Sequence, residues 1–143
     1  MLNLNECFRK EQRISLKNIE FNTIDTVSGQ GKVTIEYTDK VESSFIAPGS
    51  FEVRLTRIVR FNPENIFYLS VTFADRLFIM QEHIDDIDWE NFDLAKELTD
   101  TNSGLLANLA SRASLSISQI TSSFNQLPII TPPTPILKKK AAN

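Results

Sequence analysis

The chain has one cysteine, one histidine and four glycines in 143 residues, and each scarcity removes a class of chemistry. A single cysteine, Cys7, allows no internal disulfide, which suits a reducing compartment. With one cysteine and one histidine, no structural zinc site can be assembled from nitrogen and sulfur ligands. The low glycine content disfavours a glycine-rich phosphate loop. No apolar run is long enough to cross a membrane as a helix, and the start MLNLNECFRK lacks the charged-then-apolar order of a signal peptide. Net charge is −3, from 15 basic and 18 acidic residues, so no strong field draws the chain to nucleic acid or to an anionic membrane. These absences predict a cytoplasmic protein with no metal, no cofactor, no direct nucleic-acid partner and no membrane contact.

Catalytic chemistry is equally thin. His83 sits among acids, where a surface histidine is a better reading than a general base lacking a positioned partner. The run Glu82, Asp85, Asp86, Asp88 and Glu90 lacks the glycine turn and the ligand order of an EF-hand loop, and reads as a solvated helix start. Serines crowd residues 111–123, but none lies in a Gly-x-Ser-x-Gly elbow. Arg54, Arg57 and Arg60 could make a basic stripe, which in a net acidic chain is a weak nucleic-acid signal. The end LKKKAAN reads as a solubilising tail. The sequence therefore does not predict an enzyme.

What is present is apolar pattern. A hydrophobic content of 41% and a charged content of 23% fit one domain with a real core. RISLKNIEFN (13–22) is a first strand; Ile14 and Leu16 share one parity and Ile19 and Phe21 the other, so a bulge is expected near Lys17–Asn18. KVTIEYT, FEVRLTRIVRF and IFYLSVTFADRLFIM follow, each alternating with period two between turn signals. Phe51, Val53, Leu55, Val59 and Phe61 share one face of the third, and Phe67, Leu69, Val71 and Phe73 one face of the fourth. Beyond residue 82 the period changes. DDIDWENFDLAKELTD predicts a short helix. Ser103 is placed to cap a longer one in which Leu106, Ala110, Ala113, Ile117, Ile120 and Phe124 recur at steps of three and four. Beside that stripe run Ala107, Ser111, Ser114, Ser118 and Ser122, small enough for another helix or a sheet to approach closely. The class is α+β, four antiparallel strands with the helices on one face.

The segment FNQLPIITPPTPIL (124–137) is an oddity. Pro128, Pro132, Pro133 and Pro135 forbid a helix and most sheet pairings. What remains is an extended strip displaying Ile129, Ile130, Ile136 and Leu137, which must lie against something apolar. We expect one domain over 1–143: an N-terminal arm (1–11), the sheet (12–82), a helical part (85–124), the proline-rich apolar segment (125–137) and a basic tail (138–143).

With RISLKNIEFN and LLANLASRASLSISQITSSFNQLPIITPPTPI in this order, the chain resembles the SecB-like chaperones. The first stretch is similar to that family's opening strand, and the second to its long helix and its tail of spaced prolines, with Pro128, Ile129, Ile130, Pro133 and Ile136 in register. The resemblance spans roughly residues 12–137. It implies a Greek-key sheet, and a dimer through strands and long helix that pairs again into a homotetramer. It also implies an ATP-independent holdase whose apolar grooves take unfolded polypeptides, with Phe21, Ile24, Val27, Phe92, Ile129 and Ile130 as candidate groove residues. The small stripe Ala107, Ser111, Ser114, Ser118 and Ser122 becomes the candidate oligomer interface. In the export chaperone of the family, acids on the sheet dock the motor SecA; the matching positions here are Asn18, Asn22 and Val71, none acidic. The family's C-terminal helix is replaced by LKKKAAN. These departures argue against SecA coupling and favour a solitary chaperone guarding a client such as the antitoxin of a toxin–antitoxin pair. Two readings stand beside it: a general chaperone for protein export, and a structural or scaffold oligomer with no transient client.

Overall fold

Alternating side chains between residues 8 and 79 build one four-stranded antiparallel sheet. The structure, a computed structural model, describes residues 4–24, 34–62, 66–101, 103–123 and 127–136. A short helix α1 (Leu4–Cys7) leads into β1 (Phe8–Ile24), followed by β2 (Thr34–Ile46), β3 (Ser50–Asn62) and β4 (Ile66–Ile79). Their spatial order is β1-β4-β3-β2, a Greek key in which three hairpin-linked strands receive the first strand beside the last.

The register explains the burial pattern. Phe51, Val53, Leu55 and Val59 of β3 and Phe67, Leu69, Val71 and Leu77 of β4 are all buried, and their pairings place them on one face, hereafter the inner face. The first strand slips by one residue between Leu16 and Asn18. That bulge turns Ile14, Leu16, Ile19 and Phe21 all inward, as their split parity predicts. The strands are longer than the alternation alone suggested. Phe8 already pairs with Ile79, so residues 8–11 belong to the sheet and not to an arm.

The acidic stretch departs from expectation. Residues 81–83 and 89–91 form 3-10 turns, and α2 covers only Leu94–Asp100. Aspartates compete for backbone amides and suit caps better than helix interiors. Asp93 does this, its carboxylate accepting from Lys96 N at 3.1 Å. Trp89 nevertheless is buried, wedged edge-on against Phe8, Phe51 and Phe92, with its indole N–H donated to His83 O at 3.0 Å.

Ser103 caps α3 (Gly104–Ser122), its hydroxyl accepting from Leu105 N at 3.2 Å. Leu106, Ala110, Ala113 and Ile117 face the sheet as the periodicity predicts. Leu109 and Thr121 join them, Ile120 is half-buried, and Phe124 lies outside the described residues. The helix α3 lies over β3 and β4, and α2 over β2. Neither covers the length of β1.

Candidate functional site

Three elements compete to cover the inner face, and the sequence decides where each stops. On the β2 side the proline-rich segment does the covering. It runs back along α3, with Ile129 N donating to Thr121 Oγ1 at 2.8 Å and Ser114 Oγ to Thr131 O at 2.7 Å. Beneath it lies an ion pair with both side chains fully buried: Arg57 of β3 against Asp39 of β2. The guanidinium holds Asp39 in a two-point contact at 2.8 and 2.7 Å. Its remaining donors reach Thr131 Oγ1 at 3.0 Å, Thr134 O at 2.9 Å and the carbonyl of Pro132. Asp39 in turn accepts from Ile136 N at 2.7 Å. Prolines leave carbonyls without competing N–H groups, which is what a five-donor guanidinium needs. The strip is thus held by charge-assisted hydrogen bonds as well as by apolar contact.

On the β1 side nothing comparable among the described residues covers the sheet. Leu16, Ile19 and Phe21 remain 49%, 43% and 36% exposed, although they point inward. Phe73, opposite Leu16, is only half-buried, while its neighbour Leu55 is sealed. The result is an open apolar strip between β1 and α3, floored by β4. At its far end an aromatic row continues across the sheet, with Phe21 stacked on Phe67 at 5.3 Å and Phe61 edge-on to Phe67 at 5.1 Å. Ile35, paired with Phe61, extends the row onto β2 with about a third of its surface exposed.

Asp75 sits next to this strip, on the inner face between Ile14 and Val53. It is buried, and among the described residues neither carboxylate oxygen has a hydrogen-bond partner. Burial raises its pKa above the ordinary value. The N–H groups of Arg13 and Arg76 and the charge of Arg112 on α3 oppose that shift without reaching hydrogen-bonding geometry. Arg112 donates instead to Asn108 Oδ1 at 3.0 Å.

The residues expected to form one groove are not gathered into one surface. Phe21 lies on the open strip. Ile24 pairs with Ile66 on the opposite parity, and Val27 lies outside the described residues. Phe92 packs against Trp89 at the other end of the sheet. Ile129 is half-buried along α3, whereas Ile130 is 72% exposed. Leu16 and Ile19 are not among the groove candidates, although their split parity around the bulge is the signal that places them here. Arg57 likewise does not belong to a basic stripe with Arg54 and Arg60. Its odd parity, shared with Val53, Leu55 and Val59, places it inside.

The three positions matched to docking acids are also separated. Asn18 and Asn22 are exposed on the outer face, with Glu20 between them accepting from Asn22 Nδ2 at 3.1 Å. Val71 is fully buried on the inner face, paired with Arg57. An acid at 71 would lie in the core and could not meet a partner on the outer face. Of the small stripe, Ser114 is taken by Thr131. Ser111, Ser118 and Ser122 turn their hydroxyls onto carbonyls of their own helix at 2.9 Å, and Ala107 is half-buried. His83 pairs with Asp86 at 2.7 Å on an exposed turn, which raises its pKa. Among the described residues, no three His, Cys, Asp or Glu side chains could hold a metal ion, and no helix is long and apolar enough to cross a membrane.

No family model matches the chain, and no curated protein does. Among solved structures it is similar to a SecB-like chaperone of Mycobacterium tuberculosis in complex with a ChAD peptide from the HigA1 antitoxin. The two share 15% identity and superpose with a TM-score of 0.63, covering 94% of this chain and 93% of the other. The chain has the SecB-like fold.

Two outcomes follow from these contacts. Replacing Arg57 with Ala leaves Asp39 buried without its partner, which removes about 3–5 kcal/mol; limited proteolysis should then cut within 127–136 before it cuts the sheet. Asp75→Asn should raise stability by about 1–3 kcal/mol at neutral pH, because it removes an unpaired buried charge. The native state holds the Asp75 proton more tightly than the unfolded chain. Its contribution is therefore complete below the ordinary carboxylate range and is lost as pH rises through the raised native value. Denaturation midpoints of the two proteins should converge as pH falls toward 4 (about the unfolded carboxylate pKa); a constant gap would contradict the assignment.

Proposed function

We propose that the protein is an ATP-independent holdase chaperone that binds unfolded or aggregation-prone polypeptides, dedicated to a client such as the antitoxin of a toxin–antitoxin system. The observation that carries this reading is the open strip Leu16, Ile19 and Phe21, inward-facing yet uncovered, on a fold shared with a chaperone solved with an antitoxin peptide. Contiguous exposed apolar surface on a folded domain marks an interaction site. An extended client laid between β1 and α3 buries its side chains against Phe73 and the aromatic row. β1 also lies at an edge of the sheet, where unpaired backbone groups can take up hydrogen bonds from an extended chain.

The proposal extends to assembly. Serines whose hydroxyls are satisfied within their own helix leave a smooth outer face on α3, with Leu115 exposed among them. Such a face lets a second helix pack closely without stranding polar groups. We assign it to self-association into a dimer or a dimer of dimers. The general export reading fares worse, since Asn18 and Asn22 carry no charge for a basic docking element and Val71 is unavailable. SecA of the host is expected to show no salt-sensitive binding in titration calorimetry.

The holdase assay decides the central point. Leu16→Asp and Ile19→Asp alter exposed side chains, so each variant should stay folded. Partial loss of apolar contacts of this size weakens holding about tenfold per site, and the pair should abolish suppression of client aggregation. A folded double variant with undiminished suppression would sink the assignment and leave a scaffold oligomer.

A further inference from the structure

The outer face of the sheet carries a second feature, independent of the apolar strip. Arg13 of β1 and Arg76 of β4 are direct cross-strand partners, a placement in which like charges repel. Ser15 and Ala74, the next pair along, are too short to fill the space beside them. The result is an open furrow of about 340 Å³ rimmed by Arg13, Lys17, Glu52, Arg76 and Phe78. A neighbouring furrow of about 320 Å³ shares Arg76 and Phe78 and adds Arg9. Glu52, directly across from Arg76 on β3, pairs with Arg54 at 3.4 Å and with Lys17 on the same rim at 3.7 Å. Arg76 donates to Ser50 Oγ at 3.3 Å, and Arg13 lies over the Phe78 ring at 5.5 Å. Among the described residues, none of Arg9, Arg13 and Arg76 forms an ion pair. Three guanidiniums thus share one corner with a single carboxylate, Glu52, in a chain whose net charge is −3.

We propose that this corner docks an acidic polypeptide segment, two or three Asp or Glu side chains in extended chain, whose carboxylates seat between Arg13 and Arg76. Carboxylates match guanidiniums in shape and charge and would relieve the cross-strand repulsion. Phe78, fixed under Arg13, gives the segment an apolar contact at its edge. A nucleic acid fits less well. Beyond the furrow the same face carries Glu20, Glu36 and Glu42 interspersed with Lys40, Arg54 and Arg60, a mixed surface that gives a long polyanion no continuous basic track. The proposal does not rest on the holdase reading, and the partner it predicts need not be a client.

The test uses the full chain and fluorescein-labelled deca-glutamate, read by anisotropy at low and moderate salt. Deca-deoxythymidine is the parallel probe. Binding of deca-glutamate should be salt-sensitive. Arg13→Gln with Arg76→Gln should weaken it about tenfold or more. Lys40→Gln with Arg60→Gln, an equal charge change elsewhere on the face, should alter it less than about twofold. Arg13→Gln alone, at an exposed site, should give an intermediate loss and guards against misfolding of the double variant. Equal losses in both double variants, no binding, or tighter binding of deca-deoxythymidine would overturn the proposal. So would self-association of the chain that the Arg13, Arg76 variant abolishes while deca-glutamate stays unbound, because that would assign the face to a second copy.

Discussion

The structure depends on one buried guanidinium. Arg57 stands in the middle of β3, on the face that every alternating neighbour devotes to apolar core, and burying it unpaired would be prohibitive. Two groups make it tolerable: Asp39, directly across on β2, and the carbonyls of a proline-rich strip more than seventy residues later in sequence. Because that strip is tied over the β2 side, it cannot also cover β1. The asymmetry of the inner face, sealed on one side and open on the other, follows from where this charge was placed.

That asymmetry separates jobs across the molecule. The open strip offers apolar area and an edge of unpaired backbone, which suits partners recognised by hydrophobicity and extension. The outer face carries a localised cluster of guanidiniums, which suits partners recognised by charge. The outer side of α3, smoothed by serines bonded to their own helix, suits close helix packing. Among the described residues Asp75 is a buried polar group of the inner face with no hydrogen-bond partner, and it lies where the open strip begins. An unsatisfied carboxylate there lowers the stability of the chain, beside the surface proposed to take clients.

Much of this was legible in the sequence. Period-two alternation gave the strands, and the parity switch between Leu16 and Ile19 gave the bulge, because both are local consequences of pleat geometry. Ser103 was readable as a cap, and the small stripe of α3 as a distinct face. The prolines correctly excluded helix and ladder for residues 127–136, but their anchor was hidden, since nothing local links Arg57 to Thr131 or Thr134. The acidic run misled, because Asp85, Asp86 and Asp88 favour a helix start by charge yet compete with the helix through their own side chains. Val71 was misplaced for a different reason. Its inner parity was plain, and matching it to a surface acid by family resemblance overrode what the alternation said. Among the groove candidates, Phe21 and Ile24 part company because an odd step along β1 puts them on opposite faces, while Phe92 lies at the far end of the sheet beside Trp89.

The account's central claim is that clients lie on the open β1 side of the inner face. The most direct measurement places a photo-crosslinking benzoylphenylalanine at Ile19 and, in a second protein, at Thr38 on the outer face of β2, each illuminated with a bound unfolded client. The account predicts crosslinks to client from position 19 and none from position 38. Crosslinks from position 38 with none from position 19 would contradict it.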